Sequence, residues 1–379
     1  MKVRRILHVF RTPVGGLFRH VLDVSRGQAE RGHAVGLLCD SSTGGDRAEA
    51  ALEALRPQLA LGITRVPMKR VPHPMDASAI LRLNNLVSRE RPDVLHGHGS
   101  KGGVYARLAG WPSAGPALRV YTPHGGSFHY GKGSVAGALY LAVEKGLEAR
   151  TDVFLFESDH VRNRFESVVG RTDKVVRVVR NGLHEAEFVP IEREADPFDL
   201  VFVGELRTLK GIDTLIDAVA LIRRENAMRL TLLCVGAGSE DGALQERARA
   251  AGIWDSVAFV PPAPIRSVLA RGRIMVVPSR QESLPYVVLE AAAARQPLIA
   301  TDVGGIGEIF GPFANRLIPP ADPAALATRI REMVGQTEVV REAEAEALRD
   351  FVRSGFSIDG MVERGIEAYE AGFASQGRP

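Results

Sequence analysis

Short apolar runs alternate with helix-prone runs along almost the whole chain, and this alternation restricts the fold more than any other feature of the sequence. The apolar runs span only a few residues each and lack the strict in-and-out pattern of a half-exposed strand. Strands of this kind are typical of a parallel sheet that helices cover on both faces. The sequence therefore predicts an α/β fold, and its 379 residues are enough for two domains with separate cores.

The chain divides at a polar segment bracketed by prolines, residues 189–197. Strands are predicted at 4–10, 34–40, 93–98, 118–123, 152–157 and 174–179 before this segment, and at 199–203, 230–235, 257–260, 273–277 and 297–300 after it. A helix is predicted at 103–111, whereas residues 41–90 are less regular and receive no assignment. We predict an N-terminal domain at 1–189, a C-terminal domain at 190–357 and a C-terminal helix at 358–379.

The net charge of +3 hides an uneven distribution. Residues 1–190 carry 27 Lys and Arg against 18 Asp and Glu, a net +9, whereas residues 191–379 carry 21 against 27, a net −6. The basic half favours an anionic partner, such as an anionic membrane surface or a lipid-linked pyrophosphate, or else it is a solvated Arg-rich surface. No nucleic-acid-binding pattern is present, so we expect no nucleic acid partner. The surface cations expected to contribute are Lys2, Arg4, Arg5, Lys69 and Arg70.

Three observations predict a cytoplasmic location. The two cysteines, Cys39 and Cys234, each end a predicted strand and suit reduced core residues rather than a disulfide or metal site. No apolar run is long enough to cross a bilayer. The basic start of the chain precedes only five apolar residues, 6–10, which suits a first strand better than a signal peptide. The basic half leaves peripheral association with the inner face of the membrane open.

Two carboxylates eight positions apart, Glu282 and Glu290, mark the most informative local stretch, residues 278–291. An apolar strand precedes Glu282, and Pro285 suits the first turn of a helix, where its missing N–H is not needed. Glu282 is therefore expected on the loop at the carboxyl end of a strand, and Glu290 about one and a half turns into the next helix. Ligands bind at that edge of open α/β sheets, so the pair is predicted to hold two parts of one extended ligand.

This stretch, with its Pro-Ser-x-x-Glu-Ser and Leu-Glu-Ala context, resembles the E-x7-E motif of the retaining family-four glycosyltransferases. The resemblance implies the GT-B fold, in which two Rossmann-like domains face each other across a cleft and the last helix crosses back to the N-terminal domain. It implies an acceptor site in the N-terminal domain and a nucleotide-sugar donor site in the C-terminal domain. It also implies that Glu282 contacts hydroxyls of the donor sugar and that Glu290 accepts hydrogen bonds from the ribose.

The same resemblance assigns backbone N–H groups near the donor to Ser283 and Leu284. The family often has Gly at the next position, and here Pro285 has no N–H to donate. Gly236 and Gly238 follow a predicted strand and resemble a loop on the nucleotide side of the site. A further match to the family is the Gly-Gly-x-x-Glu run at 304–308.

A basic loop between a strand and a helix, residues 204–211, is the candidate phosphate site. Members of the resembled family have an Arg and a Lys here as phosphate contacts, but Glu205 occupies the usual Arg position. We therefore assign the Arg role to Arg207 and keep Lys210. No Asp-x-Asp occurs in the chain, so we expect these cations and helix dipoles to stabilise the diphosphate without a metal ion or any cofactor.

Two loops in the first half complete the candidate site. His124 precedes Gly125 and Gly126 at the end of a strand, and the resemblance implies that this His contacts the donor sugar. Gly15 and Gly16 resemble the family's glycine loop, which approaches the acceptor or the donor phosphates. His96 and His98 also end a strand and are expected to line the cleft near the acceptor, because no Cys or carboxylate cluster supports a metal site there.

Together with these features, the resemblance implies a retaining hexosyltransferase. Its donor is expected to be a nucleoside-diphosphate sugar, with a UDP-sugar preferred over guanosine and adenosine carriers. Its acceptor is expected to be a glycan or a lipid-linked precursor in surface polysaccharide synthesis. The sequence identifies no nucleophile for a covalent route, so front-face displacement assisted by the leaving phosphate is favoured. The alternatives are a UDP-sugar 2-epimerase of similar fold and a non-catalytic nucleotide-sugar-binding subunit.

Overall fold

The computed structural model describes residues 2–110, 117–126 and 135–378, and in it the chain forms two compact units. Unit 1 comprises Met1–Gly182 and Ile358–Pro379, and unit 2 comprises Leu183–Ser357. Each unit is built on one parallel sheet covered by helices, which confirms the predicted α/β fold with two Rossmann-like domains. The boundary between the units falls before the proline-bracketed segment at which the sequence suggested a division.

Unit 1 contains seven parallel strands in the order β3-β2-β1-β4-β5-β6-β7. The strands are β1 Arg5–Phe10, β2 Ala34–Asp40, β3 Gly62–Val66, β4 Val94–His98, β5 Leu118–Thr122, β6 Val153–Phe156 and β7 Val175–Val178. The helices are α1 Gly15–Glu30, α2 Gly45–Leu55, α3 Met75–Glu90, α4 Gly99–Leu108, α5 Val135–Glu148, α6 Asp159–Val168 and α14 Ile358–Ser375. The central strands are buried on both faces, which explains their continuous apolar runs.

All six strands predicted in the first half are present. The helix predicted at 103–111 begins earlier, at Gly99. The last residue of that predicted range, Trp111, lies outside the described residues. The unassigned segment 41–90 forms α2, β3 and α3. Strand β3 lies at the edge of the sheet, and of its five residues only Val66 is fully buried. A partly exposed edge strand carries a weak apolar signal, so the sequence pattern did not identify it.

The last helix, α14, packs on the sheet of unit 1, as predicted. Ile366, Tyr369 and Phe373 are each 1% exposed and form the expected apolar stripe, and Tyr369 and Phe373 pack in one cluster with residues of β5 and β6. Glu370 receives two hydrogen bonds from Arg4, at 2.9 Å from Nε and 2.7 Å from Nη2. The expectation that Arg4 is a surface cation is therefore wrong, because it is buried under α14 and ion paired.

Unit 2 contains five parallel strands in the order β10-β9-β8-β11-β12, and all five were predicted. The strands are β8 Phe198–Val203, β9 Leu232–Val235, β10 Val257–Val260, β11 Gly272–Val277 and β12 Leu298–Ala300. The helices are α7 Ile212–Asn226, α8 Asp241–Ala250, α9 Ile265–Leu269, α10 Tyr286–Ala293, α11 Ile306–Phe310, α12 Pro323–Gly335 and α13 Glu338–Gly355. Helices α7, α8 and α12 cover one face, and α9, α10, α11 and α13 cover the other.

Both cysteines are free and buried, as predicted, and burial raises the pKa of Cys39 to about 12. Burial raises the pKa of Cys234 as well. Such thiols stay protonated and unreactive at neutral pH. Within the described residues, no helix combines the length and the apolar character that crossing a membrane requires.

Candidate active site

The loops after β8 and β11 meet at the carboxyl edge of the unit 2 sheet. The two strands are neighbours, and the chain continues from β8 toward β9 and from β11 toward β12, on opposite sides. A crevice forms where the strand order reverses in this way, and it is the usual ligand site of open α/β sheets. The loops, here called the β8 loop (residues 204–211) and the β11 loop (residues 278–285), are joined by a 2.9 Å hydrogen bond from Arg280 N to Leu209 O.

Glycine makes this close approach possible. Gly211 has a φ of +69°, and a Cβ there would lie 1.8 Å from the carbonyl oxygen of Pro278. Any side chain at position 211 would therefore force the two loops apart. Because Gly211 follows Lys210 directly, the same close contact places the lysine beside the β11 loop.

Lys210 and Glu282 form the centre of the site. Lys210 Nζ lies 2.6 Å from Glu282 Oε1, and Ser279 Oγ donates to the same oxygen at 2.7 Å. The Glu282 side chain is 8% exposed and that of Lys210 is 27% exposed. Glu282 Oε2 receives no hydrogen bond from the described residues, so it can accept one from a hydroxyl group. The sequence singled out both residues separately, and the fold brings them into contact.

Arg207 lies at the start of the turn that carries Lys210, and its side chain is 32% exposed. Its Nη1 lies 3.4 Å from Oε2 of Glu205, the residue at the position where an arginine was expected by resemblance. Glu205 therefore pairs with Arg207, the residue to which we assigned the phosphate contact. The ion pair is partly exposed, so it is weak and can be exchanged for a stronger anion.

A carboxylate that the sequence did not single out, Glu240, holds the β8 loop in place. Its Oε2 accepts hydrogen bonds from Thr208 Oγ1 and, at 2.8 Å, from Thr208 N, and these bonds lower the pKa of Glu240. Glu240 directly precedes α8, where acidic residues are common as helix-start signals, so no sequence pattern distinguished it.

The glycines predicted on the nucleotide side bring the loop after β9 against the β8 loop. A Cβ would lie 1.9 Å from Gly204 O if placed at Gly236, and 2.2 Å from Leu206 O if placed at Gly238. Gly304, in the Gly-Gly-x-x-Glu segment, plays the same part for the β11 loop, because a Cβ there would lie 1.9 Å from Glu282 O. Close packing of loops thus explains these glycines, and a role in nucleotide binding stays a prediction.

Helix α10 begins at Tyr286, directly after Pro285, as the sequence indicated. Glu290 lies in its second turn and is partly exposed, whereas its neighbours Leu289 and Ala291 are fully buried. At the start of the helix, Ser283 is partly exposed and Leu284 is buried. The buried helix face therefore fixes the position from which Glu290 extends.

In unit 1, a chain of buried rings runs inward from His124. His124 Nε2 lies 3.2 Å from His98 Nδ1, and His98 Nε2 lies 2.9 Å from His8 Nδ1. His8 Nε2 in turn lies 2.8 Å from Gln28 Oε1. Burial lowers the pKa of His8 to about 4 and holds those of His98 and His124 well below the usual value, so these rings are neutral at pH 7.

The expectation that His96 lines a cleft is wrong. Its ring is 2% exposed and bonds Tyr369 OH at 2.7 Å and Thr122 Oγ1 at 2.8 Å, so it ties α14 to the sheet. His20, on α1, bonds Asn181 Oδ1 at 3.0 Å, and burial lowers its pKa to about 4. His8 and His20 carry no local motif, so the sequence pattern did not identify them.

Two sets of three histidines have ligand nitrogens within 4.8 Å of one another: His8, His96 and His98 form one set, and His20, His98 and His124 form the other. Neutral imidazoles can bind transition metals. His98 already forms hydrogen bonds with His8 and His124, which explains why these rings lie close together, and neither set includes a carboxylate. The sets are therefore described as a buried polar network.

Gly15 and Gly16 lie exposed at the start of α1, where Gly15 has a φ of +70°. Their neighbour Leu17 lines a cavity of about 280 Å³ at the carboxyl edge of the unit 1 sheet, and His98 and His124 line the same cavity. A second cavity, of about 390 Å³, lies in unit 2 around Arg273 at the start of β11, the amino edge of the sheet. It is remote from the β8 and β11 loops, and its Arg193 and Arg295 are ion paired.

Comparisons with known proteins show the family of this chain. The family model "Glycosyltransferase Family 4" matches residues 14–187, and "Glycosyl transferases group 1" matches residues 197–336. The putative glycosyltransferase EpsD of Bacillus subtilis is 32% identical over 324 residues, which are 81% of this chain and 84% of that protein.

Two solved structures show the same fold. Sucrose-phosphate synthase from Thermosynechococcus elongatus superposes with a TM-score of 0.81 at 20% identity, covering 98% of this chain and 100% of that one. HepE of Anabaena, solved in complex with UDP-glucose, superposes with a TM-score of 0.80 at 17% identity, covering 97% of this chain and 100% of that one.

Proposed function

This chain belongs to the family 4 glycosyltransferases and has their GT-B fold, and on that premise we propose that it is a retaining hexosyltransferase. The proposed donor is a nucleoside-diphosphate sugar, with UDP as the carrier. The proposed acceptor is a hydroxyl group of a glycan or lipid-linked precursor of a surface polysaccharide. HepE, a protein of the same fold, was solved with UDP-glucose, which supports the choice of carrier.

The observation that carries the proposal is the contact between Lys210 and Glu282 at the point where the strand order of unit 2 reverses. A cation and a buried carboxylate at one edge suit a ligand that has an anionic part beside a hydroxyl-rich part. In the proposed complex, Lys210 and Arg207 bind the diphosphate, and Glu282 accepts hydrogen bonds from sugar hydroxyls. Glu290 accepts hydrogen bonds from the ribose, and Ser283, Leu284, Gly236 and Gly238 line the nucleotide.

In the proposed reaction, the bond between the anomeric carbon and the diphosphate oxygen breaks, and its electron pair leaves with the diphosphate. The acceptor hydroxyl forms its new bond to the anomeric carbon on the same face, and its proton passes to the departing phosphate oxygen. Lys210 and Arg207 stabilise the charge that grows on the leaving group, which is where electrostatic stabilisation is most effective. His124 is proposed to contact the transferred sugar through a neutral ring nitrogen. Gly15 and Gly16 are proposed to contact the acceptor or the donor phosphates.

The test is an assay with UDP-, GDP- and ADP-sugars and a polyprenyl-diphosphate-linked sugar as the acceptor, in the presence of EDTA. We expect one donor to release its nucleoside diphosphate only when the acceptor is present, and the product to keep the anomeric configuration of the donor by proton NMR. Loss of activity in EDTA with rescue by magnesium would contradict the metal-free site. Conversion of a donor to its 2-epimer without acceptor would favour a UDP-sugar 2-epimerase. Tight binding of a donor without turnover would favour a non-catalytic nucleotide-sugar-binding subunit.

A further inference from the structure

We propose that unit 1 carries a binding site for a phosphate or diphosphate group of the acceptor, in the cavity between Arg11, Arg70 and the start of α4. The cavity itself is a feature of the fold, whereas the identity of its ligand as the acceptor rests on the proposed function. Arg11 and Arg70 belong to unit 1, whereas the cations proposed for the donor diphosphate, Arg207 and Lys210, lie on the β8 loop of unit 2.

The cavity lies above three strands of the unit 1 sheet. Arg11 follows β1, His98 ends β4 and leads into Gly99 to Lys101 of α4, and His124 follows β5. All of these residues line the cavity. These strands include β1 and β4, between which the strand order reverses. The volume of about 280 Å³ is close to the lower end of small-molecule sites, about 300 Å³, and is ample for a phosphate group with part of its substituent.

The two arginines of the cavity, Arg11 and Arg70, have no ion-pair partner in the part of the chain that the structure describes. Among the described residues, no carboxylate forms an ion pair with Arg11 or Arg70, and none accepts a hydrogen bond from either guanidinium. Most other arginines of this chain are ion paired, including Arg4 and Arg107 in the same unit. Burial lowers the pKa of Arg11, and Arg70 lowers it further through charge repulsion, although Asp40 opposes both effects. Two like charges that face one cavity are stabilised by an anion between them.

A lysine holds Arg70 in position. Lys101 Nζ lies 2.8 Å from Asp76 Oδ1 and donates hydrogen bonds to the carbonyl oxygens of Lys69, at 2.5 Å, and Val71, at 2.9 Å. These two carbonyls flank Arg70 in sequence, so Lys101 fixes the backbone on either side of it. Lys101 is thus a positioning residue, and the guanidinium groups of Arg11 and Arg70 provide the charge for the ligand.

The first turn of α4 adds backbone donors. The helix has ten residues, begins at Gly99, and has no side-chain cap at His98. Glycines set the helix directly on the sheet, because a Cβ would lie 2.3 Å from Val9 O if placed at Gly102, and 2.2 Å from the Tyr121 ring if placed at Gly103. The N–H groups of a first turn have no acceptor within the helix and favour an anion.

Phosphate chemistry fits these groups best. Two guanidinium groups present planar pairs of donors that match phosphate oxygens, and a helix start adds N–H groups that favour the same charge. The group could be a diphosphate on a polyprenyl lipid or a phosphate on a soluble sugar or polyol. Both sources have the same chemistry at the cavity, and the experiment must separate them.

The experiment measures the affinity of the full-length protein for three probes by calorimetry: inorganic pyrophosphate, farnesyl diphosphate and glucose 1-phosphate. The wild type is compared with Arg11→Gln, Arg70→Gln and the double variant. Arg82→Gln is the matched control, because Arg82 is an exposed residue on α3 of the same unit and has no ion pair with a described residue. We expect the double variant to bind pyrophosphate at least about tenfold more weakly, and Arg82→Gln to bind it like the wild type.

Tighter binding of farnesyl diphosphate would identify a lipid-linked acceptor, and tighter binding of glucose 1-phosphate a soluble one. Unchanged pyrophosphate affinity in the double variant would overturn the proposal. So would an equal loss of UDP affinity in that variant, because the cavity would then serve the donor. If UDP fails to bind the wild type while pyrophosphate binding responds as expected, the proposed function fails and the anion site stands. If the double variant does not fold, the comparison uses Arg70→Gln, which is expected to fold normally because Arg70 is exposed.

Discussion

Lys210 is the only lysine in residues 175–379, a stretch in which every other cationic side chain is an arginine or a histidine. An ammonium group is compact and carries three donors, so it can bond Glu282 and still contact a second acceptor. Glu282 keeps the lysine at the sheet edge, and Ser279 keeps Glu282 in place. The lysine is therefore held in position before a ligand binds, which reduces the cost of ordering it.

The two glutamates of the E-x7-E pair are predicted to affect different steps. Glu282→Ala should lower kcat, because it removes the proposed contact to the reacting sugar and leaves Lys210 without the carboxylate that it bonds. Glu290→Ala should mainly raise the donor Kd. Each loss is expected to be about 1.5–3 kcal/mol, or roughly 10- to 150-fold. Steady-state kinetics and calorimetry with the donor measure these effects.

Glu246→Ala is the control for that experiment, since Glu246 is exposed on α8 and, among the described residues, forms an ion pair only with Arg249. Near-normal kinetics in both Glu282→Ala and Glu290→Ala would refute the assignment of the two carboxylates.

We propose that Arg207 contacts the donor phosphates and that Glu205 acts only as the ion-pair partner of Arg207. Arg207→Gln should lower kcat by tenfold or more, because leaving-group charge grows in the transition state. Glu205→Gln should leave kcat within a factor of about five, since a partly exposed ion pair contributes at most about 1 kcal/mol. The two variants are compared by initial rates at saturating donor. A large loss in Glu205→Gln with normal turnover in Arg207→Gln would show that the assignment is reversed.

Sequence alone identified the types of residue at the site but not their contacts. Lys210 and Glu282 were both found, because each lies in a short motif after a predicted strand. Their ion pair joins positions 72 residues apart, and only the parallel pairing of β8 with β11 brings them together. His8, His20 and Glu240 were missed because their partners are distant in sequence and no local spacing marks them.

At the scale of the elements, glycine sets the distance between the loops that form the site. Gly211, Gly236 and Gly304 each lie so close to a neighbouring carbonyl oxygen that a side chain could not fit. The sequence predicted the strands well because buried parallel strands give continuous apolar runs. It could not predict which glycines face another loop, because that depends on strand order.

Gly211→Ala should damage the site without unfolding the unit. The added Cβ meets Pro278 O at 1.8 Å, and the φ of +69° is unfavourable for alanine. We expect a stability loss of about 1–3 kcal/mol and a loss of turnover, because Lys210 would move away from Glu282. Thermal unfolding and kinetics measure the two effects. The matched control is Gly242→Ala on α8, where a Cβ would meet nothing within 4 Å. Equal stability and equal turnover of the two variants would contradict loop packing as the cause.

At the scale of the whole molecule, the two ends of the chain stabilise the same unit. Tyr369 on α14 bonds both His96 and Gln28, and Glu370 pairs with Arg4 near the start of β1. The apolar stripe of α14 was readable from the sequence, but its polar contacts were not, because they depend on residues more than 270 positions away. The polar network also makes the stability of unit 1 depend on buried neutral histidines.

Unit 1 should lose stability as the pH falls from about 6.5 toward 4. The folded-state pKa of His8 and of His20 is about 4, below the ordinary value of 6.5, so the unfolded chain binds more protons in this window. Each histidine should contribute about 2 kcal/mol of loss at pH 5. Hydrogen exchange of β4 should therefore accelerate between pH 7.5 and pH 5, after correction for the intrinsic rate, and β8 of unit 2 is the internal control.

His8→Gln should flatten the pH dependence, because a glutamine can hydrogen bond but does not titrate in this range. Protection of β4 that is constant from pH 7.5 to pH 5 in the wild type would show that these histidines do not limit stability.

The central claim is that the edge of unit 2 formed by Lys210, Glu282 and Glu290 binds a nucleotide sugar, and titration calorimetry with a panel of nucleotide sugars tests it most directly. The comparison is between the wild type, Lys210→Met and the control Arg224→Met, an exposed residue on α7 that forms no ion pair with a described residue. We predict that at least one nucleotide sugar binds the wild type and Arg224→Met equally, and binds Lys210→Met at least about tenfold more weakly. Absence of binding by every donor, or equal affinity of Lys210→Met and the wild type, would contradict the account.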